Sequence, residues 1–133
     1  MNQKITTRFD HYLQLLIETP VIVHFTVLKR NITRKDGRIR VKAILIDGEL
    51  LEFAEYLAFD EVEQIATYTY SFHWQDRQKQ LVRRWDNTKH FPKLPYAPHH
   101  IHQGDGTVTG NPTVPSLETV LAEIEQALLK ADP

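Results

Sequence analysis

The chain has 133 residues, 41% of them hydrophobic and 25% charged, which suits one globular domain and argues against wholesale disorder. It contains no cysteine, which excludes disulfides, thiolate catalysis and cysteine-ligated metal centres and leaves histidine and carboxylate side chains for chemistry. A formal net charge of −1 hides blocks of opposite sign, with seven bases and one acid in residues 29–42 and seven acids in residues 47–63.

The charge blocks have two interpretations. They form a basic face for a polyanion and an acidic face for a basic partner or a second subunit, which leaves a homodimer open. Alternatively, neighbouring strands simply pair opposite charges across a solvated sheet. No segment has the apolar core of a signal peptide or the length of a membrane span, so we expect a cytoplasmic protein without membrane contact and a single domain over residues 1–133.

The first predicted elements are a helix and two strands. Thr6 or Thr7 is the expected N-cap of the helix, Pro20 marks its end, and its apolar stripe comprises Ile5, Phe9, Tyr12, Leu13, Leu16 and Ile17. Residues 21–30 are rich in β-branched and aromatic side chains, which predicts a strand, and a Lys-Asp-Gly turn follows. The second strand, residues 38–46, should carry a cationic row on one face: Arg38, Arg40 and Lys42.

Three further strands are predicted. Asp47-Gly48 is a hairpin signal, so we interpret residues 50–59 as a strand although their period also fits a helix. Residues 66–75 alternate cleanly, with His73 on the polar face and an aromatic core stripe on the other: Tyr68, Tyr70, Phe72 and Trp74. Residues 80–86 return as a fifth strand.

The remaining residues predict a long loop and a final helix. Five prolines and three glycines between residues 87 and 115 indicate an irregular loop, a feature that is usually functional or mobile. Ser116 is the expected N-cap of the last helix, whose buried stripe is Leu117, Val120, Leu121, Ile124 and Leu128. The expected fold is α+β, a five-stranded antiparallel β-meander with an N-terminal and a C-terminal helix packed on one face.

The sequence HHIH, His99–His102, is the first candidate for chemistry. In an extended chain His100 and His102 project to the same side, about 6.5 to 7 Å apart, a spacing that lets two imidazoles converge on one metal ion or phosphate. His90 or Asp86 are candidates for a third ligand. A histidine-rich loop is also often only solvated, and we expect no metal or other cofactor; the ligands of any bound metal would come from His99, His100 and His102.

The second candidate is the end of the fifth strand. Alternation places Arg84 and Asp86 on one face and Arg83 on the other, and His73 should lie beside them on the fourth strand. Arg84 and Asp86 then form either a structural ion pair or a site in which Arg84 clamps a phosphate while Asp86 orients a histidine. The candidate nucleic-acid contacts are Arg38, Arg40, Lys42, Arg83 and Lys89.

These motifs together resemble a known family. The order is Tyr70-Ser71-Phe72-His73-Trp74-Gln75, Arg84-Trp85-Asp86-Asn87, His90, and Pro98-His99-His100-Ile101-His102 with Gly104, followed by a leucine-rich helix. It resembles the TumE-like toxins of prokaryotic toxin–antitoxin pairs over most of the chain after the first helix. The chain has Lys89-His90-Phe91 where the family pattern often has Pro-His-His. The resemblance implies a small cytoplasmic toxin that a cognate antitoxin holds inactive.

Three functions are compatible with these residues. By analogy with small toxins that have basic clefts, we expect a ribonuclease that acts on RNA through histidine and arginine, with the catalytic set Arg84, Asp86, His90, His100, His102 and His73. The first alternative is a noncatalytic module that binds nucleic acid or protein. The second is a metal-dependent hydrolase with histidine ligands.

Overall fold

The computed structural model describes residues 2–129, which form two helices and one seven-stranded antiparallel sheet. The strands follow one another across the sheet in chain order. The elements are α1 (Gln3–Glu18), β1 (Ile22–Ile32), β2 (Asp36–Leu45), β3 (Leu50–Phe59), β4 (Ile65–Gln75), β5 (Leu81–Asp86), β6 (His100–Gln103), β7 (Val108–Gly110) and α2 (Leu117–Leu129). Neither of these helices offers an apolar stretch long enough to cross a membrane.

Both helices pack on one face of the sheet, the helix face, as expected for this α+β fold. Helix α1 buries Ile5, Phe9, Tyr12 and Leu16, and α2 buries Leu117, Val120, Leu121 and Ile124. These side chains join the inward residues of the strands in one hydrophobic core. The opposite side of the sheet, the open face, carries no helix in residues 2–129.

Helix α1 begins earlier than predicted. Its N-cap is Asn2, whose Oδ1 accepts a hydrogen bond from the backbone N–H of Ile5, so the prediction of Thr6 or Thr7 was wrong. Asparagine is as good an N-cap as threonine, and it satisfies a free helical N–H one turn earlier. The Thr6 hydroxyl instead donates to the Asn2 carbonyl inside the first turn. Ile17, expected in the apolar stripe, is exposed because only one face of α1 touches the sheet.

The five predicted strands are present, and residues 50–59 form a strand as interpreted. Strand β2 has the alternating burial that its sequence pattern predicts. Ile39, Val41 and Ala43 are buried on the helix face, while Arg38, Arg40 and Lys42 between them are exposed. The open face of β2 carries the predicted row Arg38, Arg40 and Lys42. Since side chains alternate strictly along a strand, the hydrophobic period alone orients this cationic row.

Two strands, β6 and β7, occupy part of the region predicted as an irregular loop, so the sheet has seven strands and not five. Strand β6 pairs with β5, and the three residues of β7 pair with β6. They were missed because both are short and because β6, His-Ile-His-Gln, is mostly polar. The signal that was present is Asp105-Gly106, which forms the connecting turn with Gly106 at a φ of 92°.

Tyr68 departs from the aromatic stripe predicted for β4. Tyr70, Phe72 and Trp74 are buried on the helix face, whereas Tyr68 is exposed. The pairing of β3 with β4 shifts between Tyr56 and Leu57, and this irregularity leaves Tyr68 without a partner in the register. A bulge of this kind turns one side chain away from the strict alternation. The ring of Tyr68 lies 6.1 Å from the ring of Tyr56.

Part of the acidic block, residues 47–63, pairs with the basic block of residues 29–42 within the sheet. Arg40 donates to the carboxylate of Glu52 at 2.6 Å across β2 and β3, so pairing of opposite charges accounts for this part of both blocks. Glu55 lies on the helix face instead and is buried near Tyr12 and Arg8. Its Oε1 has no hydrogen-bond partner among the described residues.

We expect Glu55→Gln to raise the free energy of unfolding at pH 7 by on the order of 1 kcal/mol. Burial raises the pKa of Glu55, and the Tyr12 hydroxyl and the charge of Arg8 only partly offset this. The folded state then binds this proton more tightly than the unfolded chain, so stability falls as the pH rises through the ordinary glutamate pKa towards the raised one. Urea unfolding between pH 4 and 8 measures the effect.

Glu52→Gln is the matched control for this substitution, because Glu52 lies on the open face. Unlike Glu55→Gln, it should not raise the free energy of unfolding at pH 7, because it removes the exposed partner of Arg40. A Glu55→Gln variant with the same pH dependence as the parent would show that Glu55 carries no such penalty.

Candidate active site

Strand pairing gathers most of the predicted catalytic residues into two rows on the open face. In the first row Arg84 of β5 pairs with His73 of β4 on one side and with His102 of β6 on the other. In the second row Asp86 of β5 lies between Ser71 and His100 in the same way. Neighbouring strands are about 4.8 Å apart, so each row brings three side chains close together.

Asp86 is the buried centre of this site, with 1% of its surface exposed. Its Oδ1 accepts hydrogen bonds from the backbone N–H and the hydroxyl of Thr88, and its Oδ2 accepts from Nε of Arg84 at 2.8 Å. Burial by itself raises the pKa of Asp86. The Thr88 hydrogen bonds, the charge of His100 and the Arg84 hydrogen bond outweigh it and hold the pKa below its ordinary value.

Two imidazoles converge on this carboxylate. Nε2 of His100 lies 2.8 Å from Oδ1 of Asp86, and Nε2 of His102 lies 3.6 Å from Oδ2. The two Nε2 atoms are 3.1 Å apart. We call Asp86, His100 and His102 the Asp86 cluster. His100 is fully buried, whereas the His102 side chain is 27% exposed and faces the open side.

The segment between β5 and β6 covers the Asp86 cluster. The ring of Phe91 packs edge-on against the imidazoles of His100 and His102, with centroids 5.0 and 5.6 Å away. The segment also rests on β7, where a Cβ on Gly110 would lie 1.8 Å from the Pro95 carbonyl oxygen. Only glycine leaves room for this backbone contact, which shields His100 from water.

His73 and Arg84 form the partly exposed side of the site. Nη1 of Arg84 lies 3.5 Å from Nδ1 of His73. Burial, followed by the positive charge of Arg84, lowers the pKa of His73, and burial also lowers the pKa of His102. Both imidazoles are therefore mainly neutral at pH 7 and able to accept a proton.

A cationic cleft of about 370 Å³ adjoins Arg84 on the open face. Its basic lining residues are Lys29, Arg38, Arg40 and Arg84. Ala54 and Ser71 lie side by side between Arg40 and Asp86 across the sheet. Their small side chains leave space between the guanidinium groups of Arg40 and Arg84. Such a depression with several cations on its walls suits a phosphate group.

Several predicted site residues lie elsewhere. Arg83 points to the helix face, where it donates to Glu123 of α2 at 2.6 Å, and His99 pairs with the Tyr70 hydroxyl at 2.9 Å. His90 and Lys89 are exposed in the segment after β5, and the charge of His90 contributes to the lowered pKa of His102. Lys42 lies on the open face opposite Glu52, outside the cleft lining.

Sequence reasoning missed three contributors to the site: Ser71, Thr88 and Phe91. Ser71 could have been predicted, since it lies two residues before His73 and therefore on the same polar face of β4. Thr88 also has a signal, because Asp-x-Thr after a strand favours a turn closed by the aspartate side chain. Nothing in the sequence indicates that Phe91 folds back onto two histidines, since this depends on the path of the whole segment.

Comparison with known proteins assigns the chain to one family. No curated protein and no solved structure matches the chain significantly. A family model described as "Toxin TumE" matches residues 12–128 of the 133, including all seven strands and the whole candidate site. The chain therefore belongs to the TumE toxin family.

Proposed function

We propose that this toxin inhibits growth by cleaving RNA on the open face of its sheet. The observation that carries the proposal is the position of Arg84, which lies between His73 and His102 at the edge of the cationic cleft. Membership of the family supports the toxin role and an antitoxin partner. The choice of RNA as substrate rests on the chemistry of the site.

Binding begins with the phosphates. Lys29, Arg38 and Arg40 line one side of the cleft and Arg84 the other, so a phosphodiester in the cleft meets positive charge from both sides. Glu52 pairs with Arg40 outside the cleft lining and holds that guanidinium in place. The cleft is open and has several cations on its walls, which suits an extended strand and contributes little sequence selectivity.

Cleavage follows from the first row of side chains. Neutral His73 takes the proton of the ribose 2′-hydroxyl, whose oxygen bonds to phosphorus, while the guanidinium of Arg84 stabilises the charged phosphorane. The bond from phosphorus to the 5′ oxygen breaks, and this oxygen takes a proton from the protonated form of His102, the minor form at pH 7, which the nearby Asp86 carboxylate favours. The products are a 2′,3′-cyclic phosphate and a 5′-hydroxyl.

Asp86 acts as a positioning residue in this scheme. It binds Nε of Arg84 and so directs the remaining guanidinium donors towards the cleft. Its second oxygen lies beside His100, which keeps the buried imidazole next to His102. A single fixed carboxylate thereby aligns the cation and the proton donor.

The direct test is incubation of the purified protein with labelled single-stranded RNA, with a matched strand that carries 2′-deoxyribose at every position as the control. We expect cleavage of the RNA, a cyclic phosphate at the new 3′ end and an intact deoxyribose strand. Cleavage of both strands would contradict attack by the 2′-hydroxyl. Binding of both strands without any product would favour a noncatalytic nucleic-acid-binding module.

The pH dependence of cleavage tests the role of His73. Because burial and Arg84 lower the pKa of His73, its neutral form predominates at pH 7 and cleavage should slow only as the pH falls well below 6.5. We expect His73→Ala to lower kcat/KM by roughly 100-fold and to remove this acidic limb. The measurement is kcat/KM between pH 4.5 and 8.

His24→Ala is the control for His73→Ala, since His24 lies on the exposed edge strand β1. It should leave the profile unchanged. An acidic limb that survives in His73→Ala would assign the base to another residue.

A further inference from the structure

The Asp86 cluster has a feature that the proposed cleavage does not require. Three atoms that commonly bind metals, a carboxylate and two imidazole Nε2 atoms, face one point on the open face. We propose that Asp86, His100 and His102 bind one divalent transition-metal ion of the zinc type. Of the ligands considered from the sequence, His100, His102 and Asp86 come together, whereas His99 is turned towards Tyr70.

The spacing of the three atoms fits such an ion. Zinc lies about 2.0–2.1 Å from imidazole nitrogen, so two ligands of a tetrahedral ion are about 3.3 Å apart. The two Nε2 atoms are 3.1 Å apart, and those of His100 and His102 lie 2.8 and 3.6 Å from different oxygens of Asp86, Oδ1 and Oδ2 respectively. One ligand atom from each residue lies within 4.8 Å of the other two, so an ion fits among them after modest shifts of the side chains.

Hydrogen bonding of His100 supports the same conclusion. Its Nδ1 lies 2.8 Å from the Pro98 carbonyl oxygen, which only accepts, so Nδ1 carries a proton and donates it. The other nitrogen, Nε2, faces both the Asp86 carboxylate and Nε2 of His102. A single proton on Nε2 can lie on the line to only one of these two acceptors, whereas a cation at the centre satisfies all three groups.

The surroundings resemble those of catalytic metal sites. Metal-ligating histidines usually donate their second N–H to a carbonyl or carboxylate, as His100 does to Pro98. The carboxylate of Asp86 is itself held by Thr88 and Arg84. Phe91 covers one side of the imidazoles, and the partly exposed His102 marks the side from which a fourth ligand can enter.

The ligand types favour a particular class of ion. Two imidazoles and one carboxylate suit Zn²⁺, Co²⁺ or Mn²⁺, whereas Mg²⁺ and Ca²⁺ prefer oxygen ligands throughout. Metal binding itself does not depend on the reaction. Its part in cleavage rests on the proposed function: a bound ion would hold His102 as a ligand and would supply an acidified water near the 5′ oxygen in place of the His102 proton.

The test uses the full chain without a histidine tag, freed of metal by a chelator and dialysed. We expect Co²⁺ to bind at one ion per chain with the visible absorption of a tetrahedral site, and Zn²⁺ to displace it and raise the Tm. Mg²⁺ should do neither. His102→Ala should lower the affinity for Co²⁺ by at least about 100-fold.

His99→Gln is the matched control, because it alters the same HHIH sequence outside the cluster, and it should bind Co²⁺ as the parent does. Asp86→Asn, which removes the charged ligand, should bind weakly while circular dichroism reports an intact sheet. Absence of Co²⁺ binding at millimolar concentration would overturn the inference, as would equal affinity in the parent and His102→Ala.

The same samples separate this inference from the proposed function. Cobalt binding without RNA cleavage would reject the ribonuclease and keep the metal site. Cleavage that is unchanged in chelator, by protein that binds no Co²⁺, would reject the metal site and keep the ribonuclease. Cleavage lost in chelator and restored by Zn²⁺ would support both.

Discussion

Replacing Arg84 by alanine is expected to slow RNA cleavage by about 100-fold to 1,000-fold, the cost of removing one preorganised group that stabilises a charged transition state. Arg84 lies between two histidines, and Asp86 fixes its guanidinium at 2.8 Å before any substrate binds. Because this orientation costs nothing during the reaction, its loss should appear mainly in kcat. Arg84→Lys should recover only part of the rate, since an ammonium cannot bind Asp86 and a phosphate through separate fixed donors.

The neighbouring Arg83→Ala is the matched control for this experiment. Both variants remove an arginine from β5, but Arg83 lies on the helix face and binds Glu123. We expect it to reduce the Tm slightly and to retain cleavage and toxicity. The measurements are kcat and KM on single-stranded RNA, growth inhibition on expression, and thermal unfolding of each variant. Full activity in Arg84→Ala would reject the site, whatever Arg83→Ala does.

Replacing Asp86 by alanine is expected to lower the free energy of unfolding by about 3 kcal/mol, the typical cost of removing one partner from a buried ion pair. The carboxylate is 1% exposed and makes contact with Arg84, His100 and Thr88. After substitution the buried His100 faces no acceptor at Nε2 except His102, and Arg84 loses its partner. Urea unfolding with chelator present measures this loss without any contribution from bound metal.

Asp105→Ala offers a control with the same local geometry. Asp105 accepts hydrogen bonds from the backbone N–H and hydroxyl of Thr107, as Asp86 does from Thr88, but it lies in an exposed turn. The substitution therefore removes the turn contacts alone, and we expect a clearly smaller loss of stability than in Asp86→Ala. Asp86→Asn keeps an oxygen acceptor for Thr88 and removes the charge, so it should fall between the two. Equal losses in Asp86→Ala and Asp105→Ala would show that the buried charge contributes nothing.

Much of the candidate site was readable from local patterns. The alternation in β4 and β5 correctly places His73, Arg84 and Asp86 on one polar face and Arg83 on the other. The cationic row of β2 follows from the same period. These predictions succeeded because a strand with one buried face commits every second side chain to it, and a shift by one residue would bury charges.

The prediction failed where the chain had to be placed relative to distant segments. The hairpin of β6 and β7 was interpreted as a loop, although Asp105-Gly106 marked its turn. Short polar strands carry little hydrophobic signal, and their stability comes from pairing with β5 and from the segment that covers them. Tyr68 was misplaced because a bulge has no distinct sequence pattern.

By itself, the sequence determined an α+β fold with two terminal helices, the order of the first five strands and the face on which the charged side chains of β2 and β5 lie, because all of these follow from local periodicity. It also determined that His100 and His102 share one side of an extended segment. Only the tertiary structure decided that this segment pairs with β5 in the register that opposes Asp86 to His100 and Arg84 to His102. That register depends on the fit of Phe91 over the imidazoles and of Pro95 against Gly110, contacts between residues far apart in the chain that no local pattern encodes.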